Sequence, residues 1–354
     1  MRPGAAQQPC GRIHPAAKRF PYNTKANFET NCMSVTLSNA RIAGEQPAPL
    51  PSQADSEIVP GPEVSASPSD PGMLRKLYAA LLRCCIVEER AEGLALTHKR
   101  KPPFTMARGL EATTVGSLIE LTAGDAVASE MGYAPRLFAG QPLGLYFAEL
   151  YGVRAEYLAF APQAAETAIH LLPGAPSVAA QLSAAAGYAL ALKQAKRRNV
   201  VVVHLPDGGN ALGYWHEAAS LARAERLPLV FVAITDSLPS ASLGSSDARQ
   251  RAASYGIPGI TVDGGDLVAM WRVAQESIHR ARSGAGPTLI DSQVPAVPRH
   301  AKPQPGDGGP LARMQHYLEK RSLWKEAWKE ELRQKFATEI AEAATFFRKA
   351  GETQ

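Results

Sequence analysis

Val200-Val201-Val202-Val203-His204-Leu205-Pro206-Asp207-Gly208 opens on four β-branched residues and closes on an acidic residue and a glycine. Such a run is a strand, and Pro206 cannot continue it. Outward from it the pattern alternates. Downstream, 215–226 reads as a helix, 229–234 as a strand, 247–255 as a helix, 260–262 as a strand, 267–282 as a helix and 288–292 as a strand. This repetition predicts an α/β fold, a mostly parallel sheet with helices on both faces. Upstream, the Ala- and Gly-rich stretch 178–196 predicts a long, closely packed helix, and 143–150 and 109–121 predict shorter ones. Leu74, Leu77, Tyr78, Leu81, Leu82 and Cys85 recur at helical spacing behind the capping sequence Ser69-Asp70-Pro71, and that helix ends near Lys101-Pro102-Pro103. Residues 322–350, rich in Lys, Glu and Ala, predict a C-terminal helix.

Before residue 70 the composition changes. Residues 1–69 are rich in Pro, Ala, Ser and Gln, and Pro47-Ala48-Pro49-Leu50-Pro51 and Pro60-Gly61-Pro62 break any regular element. We read 1–69 as a disordered extension and 70–350 as the folded domain. Met33 is a candidate alternative start. Met1-Arg2-Pro3-Gly4 is followed by no apolar run, so neither a signal peptide nor a membrane span is expected. Four cysteines, Cys10, Cys32, Cys84 and Cys85, form no CxxC pair; buried thiols in a reducing cytoplasm are the expectation. The net charge of +5 over 354 residues is mild. The basic clusters 98–101 and 193–198 fall at expected helix ends, where cations offset the helix dipole. No aromatic interleaving accompanies them, so nucleic-acid binding is not expected.

Asp207 falls at the carboxyl end of a parallel strand, the edge where open α/β sheets bind ligands. The following strand ends at Thr235-Asp236. Two carboxylates at neighbouring strand ends suit Mg²⁺ or Ca²⁺, with a diphosphate completing the shell. The alternative is that Asp207 merely opens a turn and caps the next helix.

Tyr255-Gly256-Ile257-Pro258-Gly259-Ile260-Thr261-Val262-Asp263-Gly264-Gly265-Asp266 resembles the GIPG-x-x-VDG-x-D segment of the alpha subunits of pyruvate and branched-chain 2-oxo acid dehydrogenases, the E1 family. Leu77-Tyr78, Glu88-Glu89, Gly109-Leu110-Glu111-Ala112, Gln181, Gly187, Gly213, Glu217, Gly309-Pro310-Leu311 and Thr338-Glu339-Ile340 match the same family in order. The resemblance implies thiamine diphosphate and Mg²⁺ as cofactors. It assigns the metal to Asp207, Asp236 and the Leu238 carbonyl, and the cofactor to Asp207, Gly208, Gly209 and Asn210, with Val178 against the aminopyrimidine. It also implies an E1 beta-type subunit, a lipoyl acyltransferase E2 and a 2-oxo acid substrate. A two-plus-two heterotetramer is the family's form.

The departures fall on those same positions. The family's GDG reads Pro206-Asp207-Gly208, and its Asn-Asn reads Thr235-Asp236. Asn210 stands one position early. The Tyr-Arg pair that grips the diphosphate reads Glu130-Met131, which removes a bidentate cation and adds an anion; Arg136 is the nearby candidate substitute. In the loop after the final strand, the assisting histidine is replaced by Pro298, leaving His300 as the catalytic candidate, with Ala301 at the family's serine. Two expectations follow. One is an active subunit in oxidative decarboxylation with acyl transfer to a lipoyl group. The other is a catalytically impaired homologue kept for assembly or regulation. The retained carboxylates favour cofactor binding, and the lost groups weigh against efficient turnover.

Overall fold

The computed structural model describes residues 70–98, 107–150, 168–173, 177–206, 212–236, 248–294 and 309–351. The expected extension 1–69 lies outside them. All described residues belong to one unit, Val64–Gln354. The helices are α1 (Pro71–His98), α2 (Glu111–Leu118), α3 (Ala134–Phe138), α4 (Leu143–Leu150), α5 (Val178–Gln194), α6 (Leu212–Ala224), α7 (Ala248–Ser254), α8 (Leu267–Arg282), α9 (Pro310–Lys320) and α10 (Glu326–Gly351). The strands are β1 (Ala126–Ala128), β2 (His170–Leu171), β3 (Val201–Leu205), β4 (Leu229–Asp236), β5 (Gly259–Asp263) and β6 (Thr288–Val294).

The six strands pair in the order β2-β1-β3-β4-β6-β5, and every pair is parallel. The α/β fold class read from the alternating pattern is therefore the observed one. The chain reverses direction across the sheet at β1, which has β2 on one side and β3 on the other. On the far side, β6 is made last yet lies between β4 and β5.

The valine run explains the burial of the sheet. Val200 and Val202 face one apolar layer with Val230, Val232, Ile290 and residues of α1, α2 and α8. Val201 and Val203 face the other, with Phe231, Leu289 and the apolar sides of α5 and α6. Successive strand residues point to opposite faces, so an uninterrupted apolar run is what a doubly covered strand needs.

Most elements lie within a few residues of their expected bounds. The exceptions have local causes. The helix expected over 109–121 is confined to α2, because Gly109 adopts φ +81° and cannot join it. Strands β1 and β2 were not anticipated, having three and two residues, too few for an alternating pattern. The C-terminal helix starts at Glu326 behind a separate α9, whose end is turned by Ser322 at φ 57°. The Asp70 cap is present: its carboxylate accepts from Gly72 N at 2.8 Å. Cys84 is fully buried and Cys85 half-buried, and burial pushes both thiols well above their usual range.

Candidate active site

Strands β3 and β4 lie side by side in parallel register, Leu205 opposite Ala233, so their carboxyl ends share one rim. Asp236 closes β4, opposite Val294 of β6. Asp207, Gly208, Gly209, Asn210, Leu238 and His300 lie outside the described residues. Among the described residues, no cluster of three or more His, Cys, Asp or Glu is placed to hold a metal ion.

The described part of the rim is built around the turn Ser129 to Tyr133, which leaves β1 at the point where the chain reverses across the sheet. Ser129 Oγ accepts from Met131 N at 3.1 Å. Gly132 adopts φ +60°, and a Cβ there would overlap Ala107 Cβ and Glu88 Oε1. Glycine is therefore required twice, by the dihedral and by the approach of Glu88. Glu88 is buried; it accepts from Tyr133 N at 2.6 Å, Ala107 N at 3.2 Å and Tyr146 OH at 3.2 Å. Burial raises its pKa, while those donors and the charge of Arg136 pull it down. Burial also pushes the nearby Glu111 carboxyl up to about 7.

Two buried polar groups fasten β1 to β3 from opposite faces. From α5, Gln181 Nε2 donates to Ala128 O at 2.6 Å and to His204 O at 3.0 Å. From the α2 face, the His204 imidazole bridges Ser117 Oγ at Nε2 and Ser129 Oγ at Nδ1, both at 2.8 Å. Burial pushes this imidazole down to about 4, so it is neutral at physiological pH. Both ring nitrogens are satisfied, as a fully buried histidine requires. The bridge was not anticipated from sequence. Its signal was there: a polar residue inside an otherwise apolar strand must find partners.

Val178 is the first residue of α5, half-buried, behind Ser177, whose hydroxyl accepts from Ala180 N at 3.2 Å. Arg136 is buried in α3, donates to Gly132 O at 3.0 Å and lies 5.4 Å from the Tyr146 ring centroid. Met131, at the position the resemblance gives to the phosphate-gripping arginine, is 2% exposed. It packs with Ile234 of β4 and Val294 of β6, and Leu110 lies against that cluster. A diphosphate needs fixed cations or converging N–H donors where its charge sits. An apolar cluster supplies neither. At the Met131 position the described rim therefore offers a diphosphate neither a cation nor a donor.

Similarity to known proteins agrees with the motifs. The Dehydrogenase E1 component family matches residues 87–306. The alpha subunit of acetoin:2,6-dichlorophenolindophenol oxidoreductase from Bacillus subtilis is 35% identical over 193 residues, covering 52% of this chain and 58% of that protein. The pyruvate dehydrogenase E1 component subunit alpha from Staphylococcus aureus is 31% identical over 187 residues, covering 47% of this chain and 50% of that protein. The chain thus spans about half the length of these curated relatives. The solved structure of a candidate thiamin diphosphate-dependent enzyme isolated from Mycobacterium smegmatis aligns with a TM-score of 0.34 and 20% identity over 54% of this chain and 32% of that one. Both of these curated relatives are alpha subunits. The family match spans well over half of the sequence and takes in the whole parallel sheet, so the chain belongs to the dehydrogenase E1 component family.

Proposed function

We propose that this chain is the alpha-type component of a two-chain, thiamine-diphosphate-dependent 2-oxo acid dehydrogenase assembly, and that it serves that assembly as scaffold more than as cofactor holder. The observation that carries the reading is Met131, buried with Ile234, Val294 and Leu110 where a phosphate-gripping arginine is called for. In this reading the partner is an E1 beta-type chain, residues 70–350 form the domain that meets it, and the protein works in the cytoplasm. Calorimetry of the full chain with its candidate beta-type partner, thiamine diphosphate and Mg²⁺ tests it. Association of the two chains without cofactor heat at millimolar thiamine diphosphate is the expected result. Tight cofactor binding would overturn the scaffold role, and a failure of the chains to associate would overturn the alpha-type assignment.

A second reading is favoured by one feature, the side-by-side ends of β3 and β4. Asp207 and Asp236 would then share one Mg²⁺, with the Leu238 carbonyl in its shell; Gly208, Gly209, Asn210, Arg136 and Val178 would line the cofactor and His300 would assist. The assembly would decarboxylate a 2-oxo acid and pass the acyl group to a lipoyl acyltransferase. On that reading Asp207→Ala abolishes cofactor binding by the assembled pair, and unchanged affinity refutes it.

A further inference from the structure

The edge of the sheet opposite the candidate active site carries an unusual concentration of cations. Helices α5, α6 and α8 all end there, and they end in the same way. In each, the residue after the cap adopts the left-handed conformation and returns its N–H to the helix: Lys196 N to Lys193 O, Arg226 N to Arg223 O and Gly284 N to Ala281 O. The next N–H reaches one residue further back: Arg197 to Leu192, Leu227 to Ala222 and Ala285 to Arg280. This closure favours glycine, because any Cβ is crowded in the left-handed region. Helix α8 uses glycine, Gly284 at φ +82°. Helices α5 and α6 place Lys196 at φ 55° and Arg226 at φ 46° instead. Among the described residues, Ser322 is the remaining non-glycine at positive φ, and it stands apart, at the end of α9.

The helix dipole does not account for these two cations. Each of the three last turns already holds its own basic residue, Lys193, Arg223 and Arg282 respectively. Glycine at 196 and 226 would close the helices with less backbone strain. Strain accepted at two neighbouring positions, in both cases to display a cation, points to a use for the cations.

The three loops are in contact. Arg282 donates to Arg198 O at 3.4 Å, Lys193 pairs with Glu225 at 2.9 Å, and a Cβ on Gly286 would meet Arg226 Cα at 3.5 Å. The acids of this edge are already engaged: buried Asp125 takes both guanidinium nitrogens of Arg282, at 3.0 and 2.7 Å, and Glu225 takes Lys193. Exposed Lys196, Arg197, Arg198, Arg226 and Arg280 form no ion pair among the described residues. They span the starts of β3, β4 and β6, roughly 10 Å at the usual strand spacing.

We propose that this edge is a docking surface for a short acidic run on a partner polypeptide. A row of that length matches about three residues of extended chain, each able to present a carboxylate. The two exposed large apolar residues among those described, Tyr214 and Leu221, both lie on α6 and neither belongs to the three loops, so no exposed Phe, Tyr or Trp among the described residues stands on those loops to stack bases. The proposal is independent of whether the opposite rim binds a cofactor.

The test uses the full chain and a fluorescein-labelled octaglutamate peptide, with a DNA duplex of matching charge as competitor. Binding is expected to weaken with salt. Lys196→Gly and Arg226→Gly should each weaken it about threefold, and the double variant about tenfold. In the same variants the melting temperature should hold or rise, because glycine relieves both left-handed positions. Lys335→Gln, exposed on α10, should leave binding unchanged. Three outcomes overturn the proposal. One is peptide affinity insensitive to the two glycines, and another is a duplex that outcompetes the peptide. The third is a double variant that melts lower, which would make the cations part of the fold.

Discussion

Two glycine-bearing turns meet the same strand, β6, and they are built to opposite ends. The segment 255–266 runs from the end of α7 through β5 into α8. The segment 129–133 leaves β1 at the rim. Three glycines and one aspartate of the first, all within the resemblance, have local structural reasons. Gly256 takes the left-handed position that closes α7, at φ +68°. A Cβ on Gly259 would stand 2.9 Å from Arg249 Cγ, and one on Gly264 would overlap Ser292 Oγ, Val294 and Thr113 Oγ1. Asp266 caps α8, accepting from Val268 N and Ala269 N at 3.0 Å. The second segment carries the position at which family chemistry is expected, and it holds Met131 instead. The lesson is that the glycines and the capping aspartate of the motif by which the family is recognised answer to the fold. That motif says little about the rim, where a side chain can change without disturbing the fold.

The comparison can be broken most directly at Gly264. If the glycines of the 255–266 segment are packing devices, Gly264→Ala should destabilise the domain by about 3 kcal/mol, because the added Cβ would overlap the buried side chains of Thr113, Ser292 and Val294. Thermal denaturation reads this, and an unchanged melting temperature would remove the packing account. The rim can be sharpened through His204. Its folded pKa of about 4 lies below the ordinary value of 6.5. The unfolded chain therefore takes up a proton that the folded chain refuses. The stability this group leaves intact is complete above pH 6.5 and falls as pH drops towards 4, by roughly 2 to 3 kcal/mol. Denaturant melts across that window should show the slope, and His204→Phe should flatten it while costing stability at neutral pH. Met131→Ala should cost about 2 kcal/mol, the ordinary penalty for emptying a small apolar cluster. A loss near zero would mean that the cluster with Ile234 and Val294 does not seal the rim. The smallest effect belongs to the outer side of the 255–266 segment. Arg313 pairs with Asp263 at 2.8 Å in solvent, so Arg313→Gln should change stability by less than about 1 kcal/mol.

The sheet was legible because its central strands are apolar on both faces, and such a run has few alternatives once helices alternate with it. Helix α8 was legible to the residue, having Asp266 at one end and a glycine closure at the other. The short edge elements were not, since β1 and β2 take their conformation from neighbours rather than from their own two or three residues. At the rim, sequence gave the order of the motifs and the adjacency of two strand ends. It did not give the partners. The bridge from Ser117 through His204 to Ser129 joins residues far apart in the chain; a histidine inside an apolar strand announces that partners are needed, but not which ones. The same holds for Glu88, whose three donors lie 19, 45 and 58 positions away.

The position of β6 has a bearing on how the protein is made. Synthesis delivers β4 and β5 well before residues 288–294, and those residues must then enter between two strands that are already out of the ribosome. Until they arrive, the nascent chain presents two unpaired strand edges, each a template for the wrong neighbour. Fragments ending before Thr288 should therefore collect in inclusion bodies, and fragments that run past Val294 should not.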